Sequence, residues 1–345
     1  MADSRLNGPE QDLQHSFMKS AVFNGLIMAI AIGLIALLIR AMPDRRAGPS
    51  TELPLIYRPV ELVPVEGPLH LAGAWVLEAP DRRFGGLSAL ASDKDKFLAV
   101  SDRGTVIAFD RPGTARPTVR LSDLRQGPGP FGKKWARDAE SIVGDPHGRG
   151  WWIGFEQRHS LWLYDRQLRH ALASVALPEL NWSDNGGAEG LTVSNGKLLV
   201  FGENGLDAVL IDPTGPKQIK INAGSEIADA ATAPDGSIWL LLRKPGISGI
   251  EQSIVPLRQN SDGWTFGSAW TLPKGSLDNF EGMLIEQPGD DGWRFWLISD
   301  SDFRSVARTL LVALDVRMPA RHDKSPATGA GPSKKPSDEG SKGAA

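Results

Sequence analysis

Five times between Phe84 and Asp302 the chain repeats one unit: a short strand of small or apolar residues, a turn rich in Asp, Asn, Gly or Pro, and a longer apolar strand. The units are FGGLSALASDKDKFLAVSDRG (84–104), DAESIVGDPHGRGWWIGFEQR (138–158), GAEGLTVSNGKLLVFGEN (187–204), ADAATAPDGSIWLLLRK (228–244) and FEGMLIEQPGDDGWRFWLISDSD (280–302). Each reads as a β-hairpin. Two further strands follow in most of them, such as SLWLYD then HALASVAL, or DAVLID then KQIKIN. Aligned on Gly85, Glu140, Glu189, Asp229 and Glu281, the units start 55, 49, 40 and 52 residues apart. Four strands at that period predict the blades of a β-propeller, an all-β fold. The last unit holds only three strands, while LHLAGAWVLEA (69–79) is an unassigned strand ahead of the first unit, able to close the ring as the missing fourth. The count gives five blades, and six stays open if the poorly patterned stretch 111–137 holds strands of its own.

Outside the repeats the chain changes character. Residues 1–20 are polar, and Ala21–Ile39 (AVFNGLIMAIAIGLIALLI) is an apolar run in which Asn24 is the one strongly polar member. A helix rising ~1.5 Å per residue over that run nearly spans a ~30 Å hydrocarbon core. Ile39-Arg40-Ala41 is a poor small-x-small cleavage site, so residues 21–40 are read as an uncleaved transmembrane anchor. Residues 41–66 follow as a linker, 67–317 as the propeller, and 318–345 as a disordered tail almost without large apolar side chains. Formal net charge is −3, so no basic field points to nucleic acid. The absence of cysteine excludes disulfides, thiolate metal sites and cysteine nucleophiles.

First strands of propeller blades line the central channel, so Gly85, Glu140, Glu189, Asp229 and Glu281 are expected in one ring. Second strands run antiparallel to first strands and end beside their starts. Those ends are Asp102-Arg103, Glu156 with Arg158, Glu203, Arg243, and Asp300 with Asp302. Both sets converge on one mouth, where unpaired acids would repel strongly. A sulfur-free, oxygen-rich donor set suits a hard cation, Ca²⁺ before Mg²⁺ or Mn²⁺. The metal ligands expected are Asp102, Glu140, Glu156, Glu189, Glu281 and Asp300. Arg103, Arg158 and Arg243 add planar forks for phosphate or carboxylate, which implies an anionic, phosphorylated small-molecule substrate. The competing structural reading has each acid bonded to neighbouring blade backbone or to those arginines.

In order along the chain, RFGGLSAL…FLAVSDRG, RDAESIV…GWWIGFEQRHSLWLYD, NGGAEGLTV, DAATAPDGSIWLLLR and NFEGMLIE…RFWLISDSDF…RTLLVALDV resemble the phytase-like family, whose domain is termed "esterase-like activity of phytase". The resemblance spans roughly 67–316 and implies a propeller, hydrolase activity and export across a bacterial inner membrane. It also implies that Asp102, Glu140, Glu156, Glu189, Glu281 and Asp300 are the shared mouth positions. Arg5 and Lys19 precede the apolar run while Arg40, Arg45 and Arg46 follow it, a count that leans toward a cytoplasmic C-terminal side. Export argues the reverse, and the expected topology is single-pass, N-terminus inside, propeller periplasmic. No G-x-S-x-G elbow, H-E-x-x-H helix or P-loop is present. Two functions remain: a metal-dependent ester hydrolase with Glu140, Glu189, Glu281, Arg103, Arg158 and Arg243 as catalytic groups, or a non-catalytic propeller that binds a ligand or protein at the same mouth.

Overall fold

The computed structural model describes residues 47–63, 67–131, 133–183, 186–246, 249–261, 263–272, 279–289, 292–300 and 308–317. The expected anchor, the tail and Asp302 lie outside these residues. Among the described residues no helix is long and apolar enough to cross a membrane.

Strands β1 (Thr51–Pro54), β2 (Ile56–Pro59) and β3 (Leu69–Glu78) precede five antiparallel sheets. Blade 1 holds β4 (Leu87–Asp93), β5 (Lys96–Ser101), β6 (Thr105–Asp110) and β7 (Thr118–Asp123). A single helical turn, α1 (Lys134–Arg137), leads into blade 2, formed by β8 (Ala139–Gly144), β9 (Gly150–Phe155), β10 (Ser160–Asp165) and β11 (Ala171–Ala176). Blade 3 holds β12 (Ala188–Ser194), β13 (Lys197–Gly202), β14 (Asp207–Asp212) and β15 (Gly215–Lys220). Blade 4 holds β16 (Glu226–Thr232), β17 (Ile238–Gly246), β18 (Gly249–Asn260) and β19 (Gly263–Phe266), with β20 (Trp270–Thr271) beside β18. Blade 5 runs β21 (Asn279–Gly289), β22 (Gly292–Asp300), β23 (Leu310–Arg317) and then β3.

The ring is therefore closed by the N-terminal strand, paired antiparallel to the last one from Leu310↔Val76 to Val316↔Leu69. Two features differ from the sequence reading. Stretch 111–137 supplies β7 and α1, not a sixth blade. Residues 51–59, within the expected linker, form β1 against β7 and β2 against β3, adding outer strands to blades 1 and 5.

Five apolar clusters lie one between each pair of neighbouring blades. Second strands show why they are apolar throughout, since both faces are buried. On β13, Leu198 and Val200 face blade 2 while Leu199 and Phe201 face blade 4. On β22, Phe295 and Leu297 join the blade 4 cluster while Trp296 and Ile298 join the blade 1 cluster. Trp239, Trp293 and Phe295 pack edge to face at 5.4–6.1 Å between centroids, consistent with a packing role.

Since β3 caps an otherwise exposed edge and contributes Leu69, Ala74 and Leu77 to the core, removing it costs pairing and burial together. A chain starting at residue 80 is expected to aggregate on refolding, whereas one starting at residue 47 stays monodisperse by light scattering.

Candidate active site at the acidic mouth

Every first strand carries a bulge at the same register position: between Leu87 and Ala89, Ala139 and Ser141, Ala188 and Gly190, Ile227 and Asp229, and Phe280 and Gly282. The bulged residues are Ser88, Glu140, Glu189, Ala228 and Glu281. A bulge leaves its residue out of the ladder and re-aims its side chain. Glu140, Glu189 and Glu281 thus occupy the expected ring, but Ser88 and Ala228 replace Gly85 and Asp229 there.

The next position joins blade to blade. Ser141 Oγ donates to Ala188 O at 2.6 Å. A Cβ on Gly282 would lie 2.8 Å from the blade 1 backbone at Ala89 and Leu90, so only glycine fits. Asp229 occupies this joint in blade 4, its carboxylate accepting from Ala230 N at 2.7 Å and Met283 N of blade 5 at 2.6 Å. Burial pushes its carboxyl well up against those two bonds. Asp229 is a strut, not a mouth ligand.

Register places Asp102, Glu156 and Glu203 one step past the last paired second-strand positions, whereas Arg243 and Asp300 are still paired, with Glu226 and Asn279. The mouth they form has two electrically different halves. In the first, Asp138, Glu140 and Glu156 are all buried, and a carboxylate oxygen from each lies within 4.8 Å of the other two. Lys134 on α1 reaches over them, its Nζ 2.9 Å from Asp102 Oδ2 and 3.8 Å from Asp138 Oδ1. Asp102 Oδ1 and Asp138 Oδ1 are buried without a hydrogen-bond partner.

Burial, and then the proximity of Glu156, pushes Asp138 up to about 7 against the pull of Glu140 and Lys134. Burial and Glu140 push Glu156 up to about 7. Glu140 is raised well above the carboxylate range by burial and by Asp138, and Glu189 by burial and by Glu140, Glu156, Glu281 and Glu203. Burial opposes the charge of Lys134, yet Asp138, Asp102 and Glu140 hold its pKa above the ordinary value.

The second half is tied together from within by one arginine. Arg243 Nη1 donates to Glu281 Oε1 at 2.9 Å, Nε to Glu226 Oε2 at 3.1 Å, and Nη2 to Glu203 Oε1. Asn279 Nδ2 also donates to Glu281, at 2.6 Å. Burial, helped by the nearby Glu226, raises the pKa of Glu203 despite the pull of Arg243.

The sequence-predicted residues therefore divide. Glu140 and Glu156 meet in the half under Lys134 with Asp102 nearby, and Glu189 feels carboxylates of both halves. Glu281 is bound to Arg243, which is itself committed to three acids and presents no free fork. Arg158 is exposed and stacks over Trp135, 5.1 Å from the ring centroid, and Arg103 is exposed on the β5–β6 turn. Asp300 ends β22 opposite Asn279. Sequence reasoning missed Asp138, Lys134 and Glu226. Asp138 stood at the head of the aligned DAESIV unit, one residue before the strand.

The donor set fits a hard cation. Oxygens up to 4.8 Å apart can share one ion at Ca–O distances of ~2.3–2.6 Å, and two buried oxygens lack donors.

A closed five-bladed propeller with a carboxylate-lined mouth is the class that fold and site define. The chain belongs to the Phytase-like family, described as esterase-like activity of phytase, whose model matches residues 82–303. No curated protein sequence is significantly similar. Solved structures with similar folds include the glutaminyl cyclase of Myxococcus xanthus (13% identity, TM-score 0.47, covering 74% of this chain and 100% of that one). Another is virginiamycin B lyase from Staphylococcus aureus (11% identity, TM-score 0.43, covering 78% and 99%).

Proposed function

We propose that the protein is a membrane-anchored, periplasmic ester hydrolase whose mouth holds a divalent cation, Ca²⁺ first, and accepts an anionic, phosphorylated small molecule. The observation that carries this reading is the asymmetry of the mouth. Arg243 bonds directly to all three acids of one half, while in the other Asp138, Glu140 and Glu156 converge, buried, with Lys134 no nearer than 3.8 Å to Asp138 and with Asp102 Oδ1 and Asp138 Oδ1 lacking a hydrogen-bond partner among the described residues. Those three would be the ligands, with Asp102 completing the oxygen shell. A bound cation would supply the positive field that polarises the ester oxygen. Of the protein's own groups, Glu189 lies beside this cluster with its basicity raised by burial and by the carboxylates around it, which suits it to take a proton from an attacking water. Lys134 and the exposed Arg103 and Arg158 supply positive charge on the same side for a phosphoryl group. Family membership supports a hydrolase-type propeller.

The test uses the full chain in detergent, freed of metal by chelator and offered phosphomonoesters, phosphodiesters and carboxyl esters with and without Ca²⁺. Turnover is expected only with Ca²⁺, falling about 10–100-fold or more in Glu140→Gln, as for loss of a supporting ligand. Calcium binding with no turnover of any ester would instead assign a ligand-binding propeller, and neither binding nor turnover would overturn both readings.

A further inference from the structure

On the outer flank between blades 1 and 2 runs a groove of about 840 Å³ whose lining includes none of the mouth carboxylates. Its floor is apolar, with Leu98, Val106 and Leu168. Lys94, Arg125, Arg166 and Arg169 rim it, all exposed, together with Arg120, whose partner across the strand pair is Glu52. Among the described residues two carboxylates line it, Asp93 and Asp123. Asp123 is already engaged, accepting from Thr105 Oγ1 at 3.0 Å and from Gly48 N at 2.8 Å. Arg166 spends Nε on Gly148 O at 2.9 Å. Among the described residues none of these four arginines forms an ion pair.

The occupant follows from where the chain enters. Gly48 and Ser50 form part of the groove wall. Gly48 stands eight residues after Arg40, where the apolar run ends. Fully extended, that tether reaches at most about 28 Å at ~3.5 Å per residue. The tether itself carries Arg40, Arg45 and Arg46, the same sign as the groove. Clustered Lys and Arg beside a membrane span are attracted by anionic headgroups.

We propose that this groove is a docking site for anionic phospholipid headgroups of the membrane that holds residues 21–39. It rests on the membrane reading of that segment. Docked by its flank, the propeller lies on its side, so the acidic mouth opens along the membrane surface and is not pressed against like charge.

The test places the full chain in nanodiscs of phosphatidylcholine, alone or mixed with phosphatidylglycerol, and follows hydrogen exchange. Segments 93–98 and 165–171 should exchange severalfold more slowly with phosphatidylglycerol than without it. Arg166→Glu with Arg169→Glu, both on an exposed turn, should abolish that difference while exchange in the blade cores stays unchanged. Equal exchange in both nanodiscs would overturn the docking site and leave the anchor standing. Failure to enter either nanodisc would overturn both. Equal protection by inorganic phosphate in neutral nanodiscs would assign the groove to a free anion and overturn lipid docking.

Discussion

In buffer freed of divalent cations, the melting temperature is expected to fall as pH rises from about 4 to about 7, the reverse of the usual behaviour of paired carboxylates. Asp138 has its pKa raised from 3.8 to about 7, and Glu140, Glu156 and Glu189 move in the same direction. The folded protein therefore keeps protons that the unfolded chain has released, and stability drains away across the window between the two values. For Asp138, which is 2% exposed, the shift corresponds to about 4 kcal/mol at ~1.4 kcal/mol per unit. At roughly 2–4 °C per kcal/mol for a domain of this size, that is a drop of about 10 °C. Groups with depressed values, such as Asp145 beside Arg149, act the other way and only in acid. Ca²⁺ competes with the protons, so its stabilising increment should be small at about pH 5 and large at about pH 8. Asp138→Asn should flatten the pH slope and remove the calcium increment. Scanning calorimetry across pH, with and without Ca²⁺, reads all of these. A melting temperature that holds or rises over the same window would contradict the assignment of Asp138 and its neighbours as crowded acids.

Replacing Arg243 should produce the largest loss of stability of any single change at the mouth. Its side chain is 15% exposed and holds Glu281 (18%), Glu203 and Glu226. Removing one partner of a buried ionic network leaves uncompensated charge and costs about 3–5 kcal/mol. Arg243→Met should therefore lower the melting temperature by about 10 °C near neutral pH. Adding Glu281→Gln should restore part of the loss, since one stranded charge disappears. A double variant no more stable than Arg243→Met would show that packing of the arginine stem, not charge, sets the effect.

The blade repeat was legible because each hairpin carries its own turn chemistry and each second strand is buried on both faces. The closing strand was legible as an apolar run left without a sheet. What escaped depends on register. A bulge inserts one residue without any mark in composition, so Asp229 aligned with Glu189 although Ala228 is its true counterpart. The small residue following each mouth position, Ala89, Ser141, Gly190 and Gly282, carried the signal, since Asp229 falls where those joints fall. Glu226 was invisible because it matters only through its pairing opposite Arg243. Lys134 was invisible because one helical turn leaves no periodicity to read.

The function of the mouth turns on whether the Asp138, Glu140 and Glu156 carboxylates hold a cation. Titration calorimetry of Ca²⁺ into metal-free full-length protein at about pH 7, repeated in buffers of different ionisation heat, measures binding and proton release together. The expected result is saturable binding that releases protons from the Asp138, Glu140 and Glu156 cluster, with both signals lost in Asp138→Asn. Binding without proton release, binding unchanged in Asp138→Asn, or no binding at all would contradict it.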